Sequence, residues 1–238
     1  MTTIFERTAR APDRVLRYAA GECGVIDVYE PEHGAANELV MLVHGGFWRS
    51  RYDRMHLRPL AEALASAGKL VALPEYRRTG DEGGGWPGTF DDVCTLTSSV
   101  GDLLDSPDAR LTLIGHSAGG HLAVLAAGAA PCVDRVISLA GVLDLGAAIR
   151  DDLSNGAARE LLGSDLSLTP EADPMARPLP LCGIVLLHGD ADEQVPVSYS
   201  EAFAARDARI TFHRLRCGHY ELIDPSTPQF QTVLTALG

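Results

Sequence analysis

One stretch constrains the fold of this chain more than any other. An apolar segment of strand length, Leu111-Thr112-Leu113-Ile114, leads into Gly115-His116-Ser117-Ala118-Gly119-Gly120, and an alanine- and leucine-rich run from Leu122 to Ala127 leads out. Strand, sharp turn bearing a serine, then helix is the arrangement that lifts a serine hydroxyl above the edge of a parallel sheet. Side chains at positions 115 and 119 would collide with the neighbouring strand and helix, and Gly120 adds further room. An ordinary strand-to-helix turn is the competing explanation for so short a motif. The fit of both flanks favours the serine-bearing turn.

The same rhythm runs along the rest of the chain. Leu39-Val40-Met41-Leu42-Val43 is a continuous apolar run, as expected of a parallel strand buried on both faces. Leu57 to Ala67 has helical periodicity and stops at Gly68, a C-terminal cap. Further strands are predicted at Gly24–Tyr29, Leu70–Pro74, Arg135–Ala140, Gly183–Leu187 and Arg209–Leu215. Helices are predicted from Thr89 or Asp91 through Leu104, over Val197–Arg206, and near Phe230–Leu237. Pro31 to Asn37 reads as a turn. This alternation predicts an α/β fold: a mostly parallel central sheet with helices on both faces. Residues 141–181 break the pattern with a short helical piece near Ala157–Leu162 and four prolines, Pro170, Pro174, Pro178 and Pro180. They are expected to form a small lid or wall over the site. All 238 residues suit one domain.

Composition excludes several classes of partner. A net charge of −12 argues against nucleic acid or an anionic membrane surface, and no apolar stretch is long enough to cross a bilayer. Met1 to Ala20 carries charges throughout, unlike a secretory signal, so a cytoplasmic location is expected. Cys23, Cys94, Cys132, Cys182 and Cys217 are scattered and lack metal-ligand spacing, which predicts buried free thiols, no metal and no cofactor. Oligomeric state is left open, a homodimer included.

A serine hydroxyl needs a positioned base to act as a nucleophile at neutral pH. In this architecture the acid and then the histidine follow the serine in the chain, at strand ends on one sheet edge. The acid falls in His188-Gly189-Asp190-Ala191-Asp192, directly after an apolar strand, with Asp190 and Asp192 as candidates and Asp144 as a rival from the preceding strand end. The base is His219 in Cys217-Gly218-His219-Tyr220, after the last strand. His116 and His121 belong to the serine turn and its helix, His188 is expected to order the acid loop, and His213 falls mid-strand. Backbone amides must then meet the oxyanion. Ala118 supplies one, and Gly46 and Phe47, within His44-Gly45-Gly46-Phe47-Trp48, supply the others.

With these elements in order, the chain resembles an α/β-hydrolase over nearly its whole length. It is similar to the branch with a His-Gly-Gly-x-Trp motif (His44 to Trp48) and a Gly-His-Ser-Ala-Gly elbow (Gly115 to Gly119), which includes kynurenine formamidases and small carboxylesterases. The resemblance places the acid at Asp192, through the pattern His-Gly-x-x-Asp-x-x-Val-Pro. It implies two-step acyl transfer from small carboxylic esters or aryl formamides, with a Ser117–Asp192–His219 triad. Phe47 stands where many lipase-group esterases have a third glycine, which points to the formamidase-like side. Arg49, Arg51, Arg54 and Arg58, with Arg77 and Arg78, are candidates for holding a substrate carboxylate. Trp48, Arg49, Tyr76, Trp86 and Tyr220 are the expected substrate contacts, with Phe90 a further aromatic near the site. Two rivals are a prolyl-oligopeptidase-like aminopeptidase, suggested by the acid loop, and a non-catalytic small-molecule receptor on the same fold.

Overall fold

A computed structural model describes residues 4–33 and 37–238. Eight strands form one sheet: β1 (Arg14–Arg17), β2 (Val25–Tyr29), β3 (Glu38–Val43), β4 (Leu70–Pro74), β5 (Arg110–His116), β6 (Val133–Leu139), β7 (Gly183–Gly189) and β8 (Ile210–Leu215). Their spatial order is β1-β2-β4-β3-β5-β6-β7-β8. β1 and β2 are antiparallel to their neighbours and every other pairing is parallel. The α/β expectation therefore stands, with one strand added: β1 pairs Arg14 with Val28 and Arg17 with Val25 at the sheet edge. Two arginines among its four residues hide it from a hydrophobicity reading. Of the turn predicted over Pro31–Asn37, residues 34–36 lie outside the described residues.

Strand pleating sends alternate side chains to opposite faces, and the apolar run of β3 shows it directly. Leu39, Met41 and Val43 enter one buried cluster, while Val40 and Leu42 enter the other. The first cluster is covered by α2 (Gly88–Leu103), α3 (Ala118–Ala129) and α7 (Val197–Ala204). The second is covered by α1 (Arg58–Ser66) and α8 (Gln229–Leu237). Gly68 follows α1 at φ +86°, the left-handed conformation expected of a terminal glycine. Neither Thr89 nor Asp91 caps α2. Pro87 holds the cap position, and the Thr89 hydroxyl donates to Arg77 O (2.7 Å).

Residues 141–181 fold as α4 (Leu145–Arg150), α5 (Leu153–Leu162), a 3₁₀ turn (Leu166–Leu168) and α6 (Thr169–Ala172). Ser154, Asn155 and Gly156 have positive φ, so the regular part of α5 begins near Ala157. Among the cysteines only Cys217 is buried and Cys132 is exposed, which corrects the expectation that all five lie inside. No described helix is long and apolar enough to cross a membrane.

Candidate active site

β5, at the centre of the sheet, delivers Ser117 to its carboxyl edge. The serine has φ 56° and ψ −119°, and α3 begins at the next residue. A non-glycine residue held at positive φ stores strain that the surroundings must over-determine. Here the Ser117 amide donates to Leu139 O (2.9 Å) and its carbonyl accepts from Gly120 N–H (2.9 Å). Gly119 lets the helix sit against β3: a Cβ there would run into the carbonyls of Val43 and His44.

The loop bearing Asp192 follows β7. Asp192 Oδ1 accepts from the amides of Gln194 and Val195, both at 2.8 Å. Its Oδ2 accepts from His219 Nδ1–H at 2.7 Å and lies 3.3 Å from His188 Nε2. Burial pushes the Asp192 pKa up, but hydrogen bonds from His188 and His219, the His219 charge and the Val195 amide outweigh it, holding the carboxyl well below the usual range. His188 orders the loop, donating from Nε2 to Val195 O (3.0 Å) while Nδ1 accepts from Ser200 Oγ–H (2.7 Å). Asp190 is exposed, and Asp144 caps α4 by accepting from the Ala147 amide (2.6 Å).

Ser117 and His219 line one small cavity of about 20 Å³ with Gly46, Phe47, Tyr220, Phe5, Tyr52, His56 and His116. Among the described residues no hydrogen bond joins Ser117 Oγ to His219. A serine hydroxyl rotates freely, and such bonds commonly tighten only around substrate. His116 braces His219: its Nε2–H donates to His219 O (3.1 Å), and the two rings stand 4.5 Å apart. Burial, and then the nearby His219 and His56, push the His116 pKa well below that of a free histidine, so its ring is neutral.

Three successive positive φ values, at Gly46 (110°), Phe47 (58°) and Trp48 (56°), bend the loop after β3 over the serine. At Gly46 a Cβ would collide with the Tyr52 side chain. Among the described residues the amides of Gly46, Phe47 and Ala118 have no acceptor, which leaves them available to an oxyanion. A buried polar frame holds this loop from behind. His44 Nε2–H donates to Glu75 Oε1 (2.6 Å), and its ring stacks on Tyr76 at 4.3 Å. Tyr76 O–H donates to His44 O (2.6 Å). Glu75 also accepts from Arg78 (2.9 Å) and the Arg54 amide (3.0 Å). Burial pushes the Glu75 pKa up, yet the His44 charge and hydrogen bond, Arg78 and the Arg54 amide prevail and bring it down to about 2.

Of the expected substrate contacts, only Tyr220 lines the cavity. Trp48 is 1% exposed: its positive φ turns the indole inward, where Nε1–H donates to His121 Nδ1 (3.3 Å). Tyr76 is fully buried in the frame just described. Trp86 stacks on Phe90 at 5.0 Å, against the core. Arg49 is forked onto Glu160 of α5 at 2.6 and 2.8 Å. Residues 141–181 meet Arg49, just beyond the loop that follows β3, through that pair and the Asn155 carbonyl (3.2 Å), and contribute none of the cavity lining. The lining residues missed in the sequence are Phe5, Tyr52, His56 and His116. The apolar pair Ile4-Phe5, isolated in a polar N-terminal stretch, is the one signal that points to Phe5.

Among solved structures the chain is similar to esterase B from Lactobacillus rhamnosis, at 22% identity, covering 97% of this chain and 86% of that one with a TM-score of 0.78. It is also similar to a truncated carbohydrate esterase from gut microbiota, at 19% identity, covering 95% and 97% with a TM-score of 0.75. A third is a thermophilic esterase from Thermogutta terrifontis, at 20% identity, covering 94% and 91% with a TM-score of 0.71. No curated protein sequence matches the chain. The structural likenesses show the α/β-hydrolase fold. The BD-FAE family model matches residues 26–206, from the second strand through α7, and the chain belongs to the BD-FAE family.

Proposed function

We propose that the protein is a serine hydrolase of small carboxylic esters, with Ser117 as nucleophile, His219 as general base and Asp192 as its orienting acid. The observation that carries this reading is the 2.7 Å His219–Asp192 hydrogen bond beside a strained Ser117 in one cavity. Ser117 Oγ attacks the ester carbonyl carbon as its proton passes to His219 Nε2. The oxyanion accepts hydrogen bonds from the Gly46, Phe47 and Ala118 amides. Collapse expels the alcohol, which takes the proton back from His219. Water then repeats the sequence on the acyl-enzyme, releasing the acid and restoring Ser117.

The names of the structural relatives, esterases each, support ester substrates. Aryl formamides enter the same cycle, but five of the six arginines that favoured a substrate carboxylate are committed elsewhere, and the sixth, Arg51, lies over the Tyr52 ring (4.7 Å) in the groove outside the cavity. Arg49 pairs with Glu160, Arg54 and Arg58 with Asp27, Arg77 with Asp92, and Arg78 with Glu75 and Asp81. Initial rates on p-nitrophenyl acetate and N-formylkynurenine, with Ser117→Ala as blank, test the reading. Ester turnover that disappears in the variant is expected. Turnover of the formamide alone would replace the substrate assignment, and ester turnover equal in both proteins would refute the mechanism.

A further inference from the structure

The cavity at Ser117, at about 20 Å³, holds roughly one water molecule and no acyl chain. Directly outside it lies a groove of about 390 Å³ that includes Arg51, Met55 and Ile4. Phe5, Tyr52 and His56 line both spaces and so form the wall between them. Tyr52 and His56 belong to the segment after the oxyanion loop and are tied down there. Tyr52 O accepts from Arg78 (2.6 Å), and His56 Nδ1–H donates to Asp53 O (2.7 Å). Phe5 arrives from the far end of the chain, on a 3₁₀ turn spanning Ile4–Glu6. Its ring stands edge-on to Tyr220 at 5.5 Å and tilted against His56 at 5.6 Å, yet it is 52% exposed.

An aromatic ring half in water contributes little to the core, so its position needs another explanation. The residues on either side fix it. Ile4 is buried in the cluster that holds Leu57, Leu222 and Ile223. Arg7 reaches the loop beyond His219, pairing with Asp224 (2.7 Å) and Ser226 Oγ (2.6 Å). The N-terminal segment is thus a strap fastened on both sides of Phe5, whose side chain lines both the cavity and the groove.

We propose that Phe5 is the specificity-determining residue of this site, a strapped wall that restricts the enzyme to esters whose reacting end carries the smallest groups. The inference rests on the ester-hydrolase reading above. Truncating Phe5 joins the inner cavity to the groove and gives longer chains a path past Tyr220 and Met55. Breaking the Arg7 anchor loosens the same wall without altering its ring.

The test measures kcat/KM of the full chain on two ester series: p-nitrophenyl acetate, butyrate and octanoate, and acetates of short and long alcohols. In Phe5→Ala the long-to-short ratio in at least one series should rise about tenfold or more, the scale on which pocket size discriminates between substrates. Arg7→Ala should move that ratio in the same direction, and Phe5→Trp should lower it. A merely structural role would depress every ester alike and leave the ratio alone, so ratios within about twofold of wild type in both series overturn the proposal. If the wild type hydrolyses no ester and a fluorophosphonate leaves Ser117 unmodified, the hydrolase reading falls and takes this inference with it.

Discussion

Asp192→Asn isolates the role of the acid with little change of shape. Asp192 Oδ1 accepts two amides at 2.8 Å, so the asparagine oxygen is held on that side and its NH₂ is turned toward His219 and His188. Flipping the amide would set its NH₂ against two N–H donors and is disfavoured. An NH₂ facing His219 Nδ1 requires that nitrogen to accept, which moves the imidazole proton to Nε2, where it can no longer take the proton of Ser117. The same exchange in a Ser-His-Asp triad lowers kcat about 10⁴-fold, equivalent to about 5.5 kcal/mol of transition-state stabilisation. His188 Nε2–H, 3.3 Å from Oδ2, would also meet a donor, at a cost of about 1–3 kcal/mol in stability. For a chain of this size that lowers Tm by about 2–12 °C. Stopped-time rates on p-nitrophenyl acetate and a calorimetric melt read the two effects separately. A variant with kcat within about tenfold of wild type would refute the tautomer argument.

Two further outcomes follow from the same geometry. Glu75 is 2% exposed, and its pKa is depressed from 4.5 to about 2 in the folded chain. Its ionisation therefore stabilises the fold above about pH 4.5, by on the order of 3 kcal/mol, and that contribution is lost as pH falls through about 2. Urea unfolding at pH 7 and pH 3 should show a smaller acid-induced loss in Glu75→Gln than in wild type, and parallel losses would contradict this. Gly119→Ala places a methyl group against the Val43 and His44 carbonyls, so the variant should fail to fold or lose several kcal/mol; circular dichroism melts overlapping wild type would exclude that contact.

Much of the fold was legible because its signals are local. The apolar runs of β3, β4 and β7 and the glycines around Ser117 each announce what they do within a few residues. So do the loops bearing Asp192 and His219, which chain order and motif place at adjacent strand ends. Other parts of the site depend on residues far apart in the chain. Arg49, Arg54 and Arg58, after the loop that follows β3, resemble an anion site until the fold brings Asp27, Glu75 and Glu160 to them. Trp48 and Tyr76 look like pocket aromatics, but two positive φ values and the buried His44–Glu75 pair turn them into supports. Phe5, Tyr52 and His56 reach the cavity only through tertiary packing, and β1 is a strand because β2 offers it a free edge, whatever its own composition.

The most direct measurement is the intact mass of the protein after reaction with a fluorophosphonate, for wild type and Ser117→Ala, alongside ester turnover. The account predicts one phosphonyl adduct on Ser117 in the wild type with complete loss of turnover, and neither adduct nor turnover in the variant. An adduct elsewhere, or turnover that survives in Ser117→Ala, would contradict it.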